Sequence, residues 1–220
     1  MHYSQQFSGN DYASSKVRNS GAVLTGHFGI EEDPEMHSEF YIDKATLFSE
    51  PQTVFSLGRQ LKDCLLKPDD IEVIVAPPPF GLFVALPLGI EMSCRVVHIE
   101  EHQNKLFVRR GSRRFIDGRK VLAVDSISIS GGKLQTVSKL TEMLGGEVVE
   151  RAVLIDRGAS HPAYAAMNDR PTSLLRANLR IFHRSECPGC IAGTELSKEF
   201  GLASKTHGMM VEDSFGGRLR

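Results

Sequence analysis

The sequence predicts an α/β fold, an open doubly wound sheet of mostly parallel strands in one domain. Three observations predict it. Short runs rich in β-branched residues recur along the chain: IEVIVA at 71–76, CRVVHI at 94–99, KVLAVD at 120–125 and VVERAVLID at 148–156. Each stops at turn or polar residues, as strands buried on both faces do. Between them lie segments of helical pattern, GLFVALPLGIEM at 81–92 and GGKLQTVSKLTEMLGG at 131–146. Finally, 220 residues suit a single core with small elaborations.

In chain order, a helix is expected over 11–20, followed by the segment LTGHFGIEEDPEMHSEFYIDKATL at 24–47, whose EFYID reads as a strand. The helix at 81–92 is apolar almost throughout. In the 131–146 helix Leu134, Val137, Leu140, Met143 and Leu144 recur at three- and four-residue spacing and are assigned to one face. The stretch TSLLRANLRIFHRSECPGCIAGTEL at 172–196 reads as one long strand and then a loop, and the last twenty residues, GMMVEDSFGGRLR among them, as partly disordered. Alternating strands and helices with right-handed crossovers give the doubly wound sheet, whose ligands bind beyond the carboxyl ends of the strands. Attention therefore falls on the residues just after Ala76, Ile99, Val124 and Ile155.

Charge and composition narrow the partners. Lys+Arg 26 against Asp+Glu 27 leaves no global field for a polyanion, so nucleic acid is not an expected partner and any anion must be held locally. No run approaches 18 apolar residues, and the start lacks both a signal-peptide core and the Arg bias of a transit peptide, so no membrane partner and a cytoplasmic location are expected. Four cysteines are too few for a disulfide scaffold in this length, and Cys64 and Cys94 lie in apolar segments where a thiol acts as a small hydrophobe.

The segment VLAVDSISISGGK at 121–133 carries the chemistry: an apolar strand ending in Asp125, a hydroxyl- and glycine-rich loop, then a helix start. Backbone N–H groups of Ser130, Gly131 and Gly132 at a helix N-terminus suit a phosphate, and a carboxylate at the strand end suits vicinal ribose hydroxyls. The same pattern also serves as a plain strand–turn–helix with Asp125 as a capping residue.

This segment resembles the phosphoribosyl diphosphate (PRPP) signature of type I phosphoribosyltransferases: apolar residues, two acids, an apolar residue and a Thr- and Gly-rich loop. Asp125 stands at the first acidic position and Ser126 at the second; Ile129 replaces a hydroxyl residue, and Lys133 stands where a small hydroxyl residue is usual. Further segments resemble the orotate phosphoribosyltransferase branch. LTGHF and HSEFYIDKATL are similar to its N-terminal block, closed here by Lys44. FVRRGSRRF at 107–115 resembles the region of its mobile basic loop, with Arg109, Arg110 and Arg113 at the spacing of that loop's cations. AVLIDRG at 152–158 resembles the strand end that presents an arginine, here Arg157, to the orotate carboxylate. At 76–81, Ala-Pro-Pro-Pro-Phe-Gly occupies the diphosphate loop, and three prolines remove three backbone donors.

The resemblance implies a type I phosphoribosyltransferase fold with a small hood built from the N- and C-terminal segments: 1–220 as one domain, 21–70 as a hood segment, 71–170 as the core sheet, and 171–220 as a terminal strand and tail. It implies transfer of phosphoribose from PRPP to orotate or a related carboxylated base, with Mg²⁺ as cofactor and a homodimer as the working form. Asp125 and the three arginines would be catalytic. Lys44, Ser126, Ser128, Ser130, Gly131, Gly132, Lys133 and Arg157 would bind substrate. Ser126, Ile129 and the proline run keep two alternatives open, a nucleotide- or PRPP-binding protein without turnover and a transferase with another acceptor. Arg157 could instead pair with Asp156 or cap a helix near Ser160, the arginine cluster could be a solvated hairpin, and Lys44 a surface lysine. Cys187 and Cys190 form a CPGC pair, which with His183 offers three metal-type ligands; zinc needs four, so no metal site is assigned. His27 and His37 are read as turn or partly buried residues.

Overall fold

The computed structural model describes residues 6–103, 105–165 and 170–202. A short strand β1 (Phe7–Gly9) leads into helix α1 (Asp11–Asn19), where the Asn10 side chain accepts from the Ala13 N–H and caps the first turn. Two long strands, β2 (Val23–Ile30) and β3 (Asp33–Ile42), are followed by α2 (Lys44–Leu47) and α3 (Pro51–Lys62). The doubly wound part then runs β4 (Val73–Ala76), α4 (Gly81–Met92), β5 (Arg95–His98), a hairpin of β6 (Glu100–His102) and β7 (Lys105–Phe107), and a single turn α5 (Arg110–Arg113). It continues with β8 (Lys120–Ser128), α6 (Gly132–Met143), β9 (Glu147–Asp156), α7 (Pro162–Ala165) and β10 (Thr172–Ala177). Strand β11 (Ile181–His183) and helix α8 (Pro188–Ile191) follow, and the described chain runs on to residue 202.

The main sheet has the order β1-β10-β9-β8-β4-β5, parallel throughout except for β1 at its edge. All of β4 is buried, which explains why its run shows no polar alternation. A second, antiparallel sheet of order β11-β3-β2 stands apart as a hood. Among the described residues no helix is long and apolar enough to cross a membrane.

Three expectations are corrected. The long strand from 172 is two strands in different sheets: Ala177 pairs with Phe7 in the main sheet, whereas Ile181 pairs with Ser38 in the hood. The Asn178 N–H still donates to Gln6 O at 2.7 Å and Leu179 is fully buried, so the crossing is itself packed and leaves no turn signal. On α6 the buried face is Leu134, Val137, Ser138 and Thr141, while Met143 is 81% exposed. Nine residues at 100° each place Met143 opposite Leu134. Lastly, β8 runs on past Asp125 to Ser128, which pairs with Asp156, so only 129–131 form the loop before α6. The tail from 203 lies outside the described residues.

Candidate active site

The carboxyl ends of β4 and β8, the start of α2 and the end of the β2–β3 hairpin enclose a cleft of ≈ 400 Å³. Asp125, Ser126, Lys44 and Lys133 line it, together with Pro78, Pro79 and Phe80 and with Glu31, Glu32 and Tyr41. The geometry thus brings together four of the twelve residues singled out from sequence; Ser128, Ser130, Gly131 and Gly132 belong to the adjoining strand end and loop but not to the cleft wall. A side pocket of ≈ 50 Å³ shares Glu31, Glu32, Tyr41, Lys44 and Ile127 with the cleft and has Arg157 and Ile129 in its wall.

Asp125 is 8% exposed, and its Oδ1 accepts from the Ser126 N–H at 2.7 Å and from the Ser126 hydroxyl at 3.3 Å. Among the described residues its Oδ2 has no hydrogen-bond partner. Burial pushes the carboxyl above the ordinary carboxylate value, against the pull of Lys133, the Ser126 N–H and Lys44. A carboxylate held this way with one free oxygen is an acceptor for hydroxyl donors. Ser126 and Ser128 are buried strand residues, and Ser128 Oγ has no hydrogen-bond partner among the described residues.

Gly131, at φ +78°, turns the chain into α6, a left-handed conformation that suits glycine. The N-terminus of this twelve-residue helix opens beside the cleft. Here the structure adds a residue that sequence reasoning missed: the Ser130 hydroxyl donates to Glu32 Oε2 at 2.6 Å, while Gly132 N–H donates to Ser130 Oγ at 3.2 Å. A carboxylate from the hairpin therefore holds the loop that would cradle a phosphate. Glu32→Gln is expected to tighten inorganic phosphate binding about fivefold, the ~1 kcal/mol that one charge contributes at a helix start. Titration calorimetry with phosphate checks this, and unchanged affinity would remove the loop as an anion site.

Lys133 Nζ reaches Pro78 O at 3.4 Å, tying α6 to the proline loop. Lys44, first residue of α2, lies over the Phe80 ring at 5.5 Å, and Phe80 packs with Phe48 and Phe83. The surface-lysine reading of Lys44 is thereby replaced by a cleft position.

Arg157 follows β9 directly and is 3% exposed. Its Nη2 donates to Ser38 Oγ at 2.6 Å and to Phe40 O at 2.7 Å, while Nε is buried without a partner among the described residues. Asp156 accepts from the Gly158 N–H at 2.9 Å and forms no ion pair with Arg157 among the described residues; Arg157 stands at the N-cap position of the short 3-10 turn Gly158–Ser160 but makes no side-chain capping bond. Burial pulls the guanidinium down to about 10, so Arg157 stays cationic at neutral pH. Its contacts in the structure are neutral groups, which leaves a buried positive charge beside an open pocket. Such a charge is costly unless an anion joins it.

The arginines at 109, 110 and 113 do not join this site. All three are exposed and absent from the cleft wall, and Arg109 forms a two-pronged pair with Glu100 on the neighbouring β6. His183 also lies elsewhere, its Nδ1 against Ser185 Oγ at 2.7 Å.

No family model matches the chain. It is similar to the orotate phosphoribosyltransferase of Desulforamulus reducens, 28% identical over 174 residues that cover 79% of this chain and 87% of the relative. The Thermotoga maritima orotate phosphoribosyltransferase is also 28% identical, over 83% of this chain and 94% of its own. Among solved structures, the orotate phosphoribosyltransferase of Aeropyrum pernix superposes with a TM-score of 0.57 at 22% identity, covering 73% of this chain and 90% of its own. The fold is that of the type I phosphoribosyltransferases.

Proposed function

We propose that this chain, with its type I phosphoribosyltransferase fold, is a transferase that moves phosphoribose from PRPP to orotate or a related carboxylated base. One observation carries the reading: a buried arginine whose hydrogen-bond partners are neutral and a buried carboxylate line two adjoining pockets. The cleft suits a phosphorylated ribose, with Asp125 accepting from the sugar hydroxyls and the 130–132 loop facing the 5-phosphate. The side pocket, at ≈ 50 Å³ smaller than a pyrimidine ring, suits the carboxylate end of a planar base that meets Arg157 while its ring lies toward the cleft. Likeness to the two orotate phosphoribosyltransferases supports the same substrates.

In this mechanism the chain positions and stabilises charge. A ring nitrogen of the base displaces diphosphate from the anomeric carbon through an oxocarbenium-like transition state, and no protein nucleophile is needed. Asp125 sits where it can balance the developing positive charge, and Lys44 and Lys133 face the anionic groups. The cleft's oxygen donors, among them Glu31, Glu101 and Asp125, fit Mg²⁺, a hard cation that takes few protein ligands when phosphates supply the rest. Bound there with substrate, Mg²⁺ would neutralise charge on the departing diphosphate. The exposed arginines at 109, 110 and 113 then serve a neighbouring subunit's cleft in a homodimer. Phe83, Leu86 and Ile90, exposed along one stripe of α4, support such an assembly, since a lone subunit rarely leaves so apolar a helix face in water.

A second reading, a PRPP- or nucleotide-binding protein without turnover, is favoured by the neutral Ser126 and by the Pro77–Pro79 loop, whose prolines have no N–H to offer diphosphate. Titration with PRPP and Mg²⁺, followed by orotate consumption on the same sample, separates the two: binding with turnover supports the transferase, binding without it the second reading. Ser126→Asp restores the second acid and is expected to raise Mg-PRPP affinity or turnover about tenfold, roughly 1.4 kcal/mol for one charge-assisted contact. No change in either would displace PRPP from this loop.

A further inference from the structure

Away from the cleft, four side chains from distant parts of the sequence converge under the hood. Phe28 pairs with Ser38 and Gly29 with His37, which makes His27 and His37 diagonal neighbours on one face of β2 and β3. Their rings meet edge-on with centroids 5.0 Å apart. From the other end of the chain, Cys187 caps the start of α8 and Cys190 follows three residues later on the same face of that turn. Between the cysteines, Gly189 lies so close to the His27 ring that a Cβ there would stand 2.6 Å from its Cγ, so only glycine lets the turn seat against the strand.

The ligand atoms all lie within 4.8 Å of one another. His27 Nε2 is 3.1 Å from His37 Nδ1, 3.3 Å from Cys187 Sγ and 3.6 Å from Cys190 Sγ, and Cys190 Sγ is 3.1 Å from His37 Nδ1. Bonds of zinc length in a tetrahedron separate two nitrogens by about 3.3 Å and a nitrogen from a sulfur by about 3.6 Å. The atoms therefore form a shell of zinc size. His27 Nδ1 lies 2.8 Å from Thr194 O, the contact in which a metal-bound histidine donates its second N–H to a carbonyl and turns the other nitrogen's lone pair inward. Ser197 N–H donates to His27 O at 2.7 Å, a second tether to the same segment.

We infer that His27, His37, Cys187 and Cys190 bind one zinc ion in a closed tetrahedral site that fastens the C-terminal segment to the hood. On binding, both thiols lose their protons, and Zn²⁺ with two thiolates and two neutral imidazoles gives a centre of no net charge, suited to three buried ligands and one at the surface. All four positions are filled by protein, and none of the four residues lines the cleft, so the metal is structural. What it fixes borders the site: beyond Cys190 the chain returns over β2 and sets Phe200 against Tyr41, ring centroids 5.7 Å apart, and Tyr41 lines the cleft. His183, which sequence spacing offers as a third ligand, is replaced by two histidines from the first fifth of the chain.

The test uses the full chain, purified under reducing conditions from zinc-supplemented cells. Elemental analysis is expected to give one zinc per chain that survives dialysis. Cobalt exchanged into the site should show a thiolate charge-transfer band and the intense visible bands of a tetrahedral centre. Cys190→Ser, at the exposed ligand, should lose the charge-transfer intensity of one thiolate and release metal to a chelator at least tenfold faster, whereas Cys64→Ser should leave both unchanged. Metal-free protein whose Cys187 and Cys190 titrate as free thiols or as a disulfide would overturn the inference. So would a cobalt spectrum indifferent to Cys190→Ser. If that variant does not fold, the wild-type zinc content and cobalt spectrum decide the matter alone.

Discussion

Asp125→Asn is expected to weaken PRPP binding in the presence of Mg²⁺ by roughly 30- to 100-fold, the ~2–3 kcal/mol associated with a hydrogen bond to a charged group. The amide is nearly isosteric and can still accept from the Ser126 N–H, so the fold should survive. Stability should even rise. Burial raises the Asp125 carboxyl above its ordinary value in the folded state, so between that ordinary value and the raised one the folded chain binds more protons than the unfolded chain, and stability falls as pH rises through the window. At neutral pH the ionised group is a cost that asparagine removes. A melting temperature equal to or above wild type together with lost PRPP affinity is the expected pair of results. Unchanged affinity would take Asp125 out of the ribose site. The same protonation predicts that wild-type PRPP affinity declines on acidification at a pH above that of an ordinary aspartate.

Arg157→Ala is expected to lower affinity for orotate or orotidine monophosphate by 100-fold or more, since an Arg–carboxylate pair in a water-poor pocket loses roughly 3 kcal/mol when one partner is removed. The side chain also braces the hood through Ser38 and Phe40, so lost base binding alone could reflect loosened packing. Two controls separate these causes. PRPP affinity should be spared, because Arg157 lies in the side pocket's wall and not in the cleft's. Arg157→Lys should keep the charge but lose the fork, leaving orotate affinity between wild type and alanine. Base affinity unchanged in the alanine variant would remove Arg157 from the account.

The core strands could be read from the sequence because burial on both faces leaves uninterrupted apolar runs, and β4, β8 and β9 lie where 71–76, 120–125 and 148–156 place them. That Asp125, Lys133 and Arg157 border the two pockets follows the rule that such sheets open a crevice beyond the carboxyl ends of their strands; Lys133, on α6, and Arg157 were singled out by resemblance and not by that rule. The break between β10 and β11 was not legible, because both halves are apolar and the chain changes sheets without a turn residue. Glu32 and Tyr41 went unnoticed since nothing local marks a hairpin residue as facing a loop 98 positions away, as Glu32 faces Ser130. The His27–Cys187 contact spans 160 positions, so spacing rules that find ligands within one segment paired the cysteines with nearby His183 instead.

Early and late segments of the chain meet twice: Phe7 pairs with Ala177 at the edge of the main sheet, and Ile181 completes the hood beside Ser38. Both pairings close loops of well over a hundred residues, the class of contact whose chain-entropy cost slows folding most. During synthesis the early strands β2 and β3 must therefore wait, with one edge of β3 unpaired, until β11 has emerged. A ribosome-stalled chain ending before Ile181 would expose that edge to aggregation, so the docking of β11 acts as the step that commits the hood to its native state.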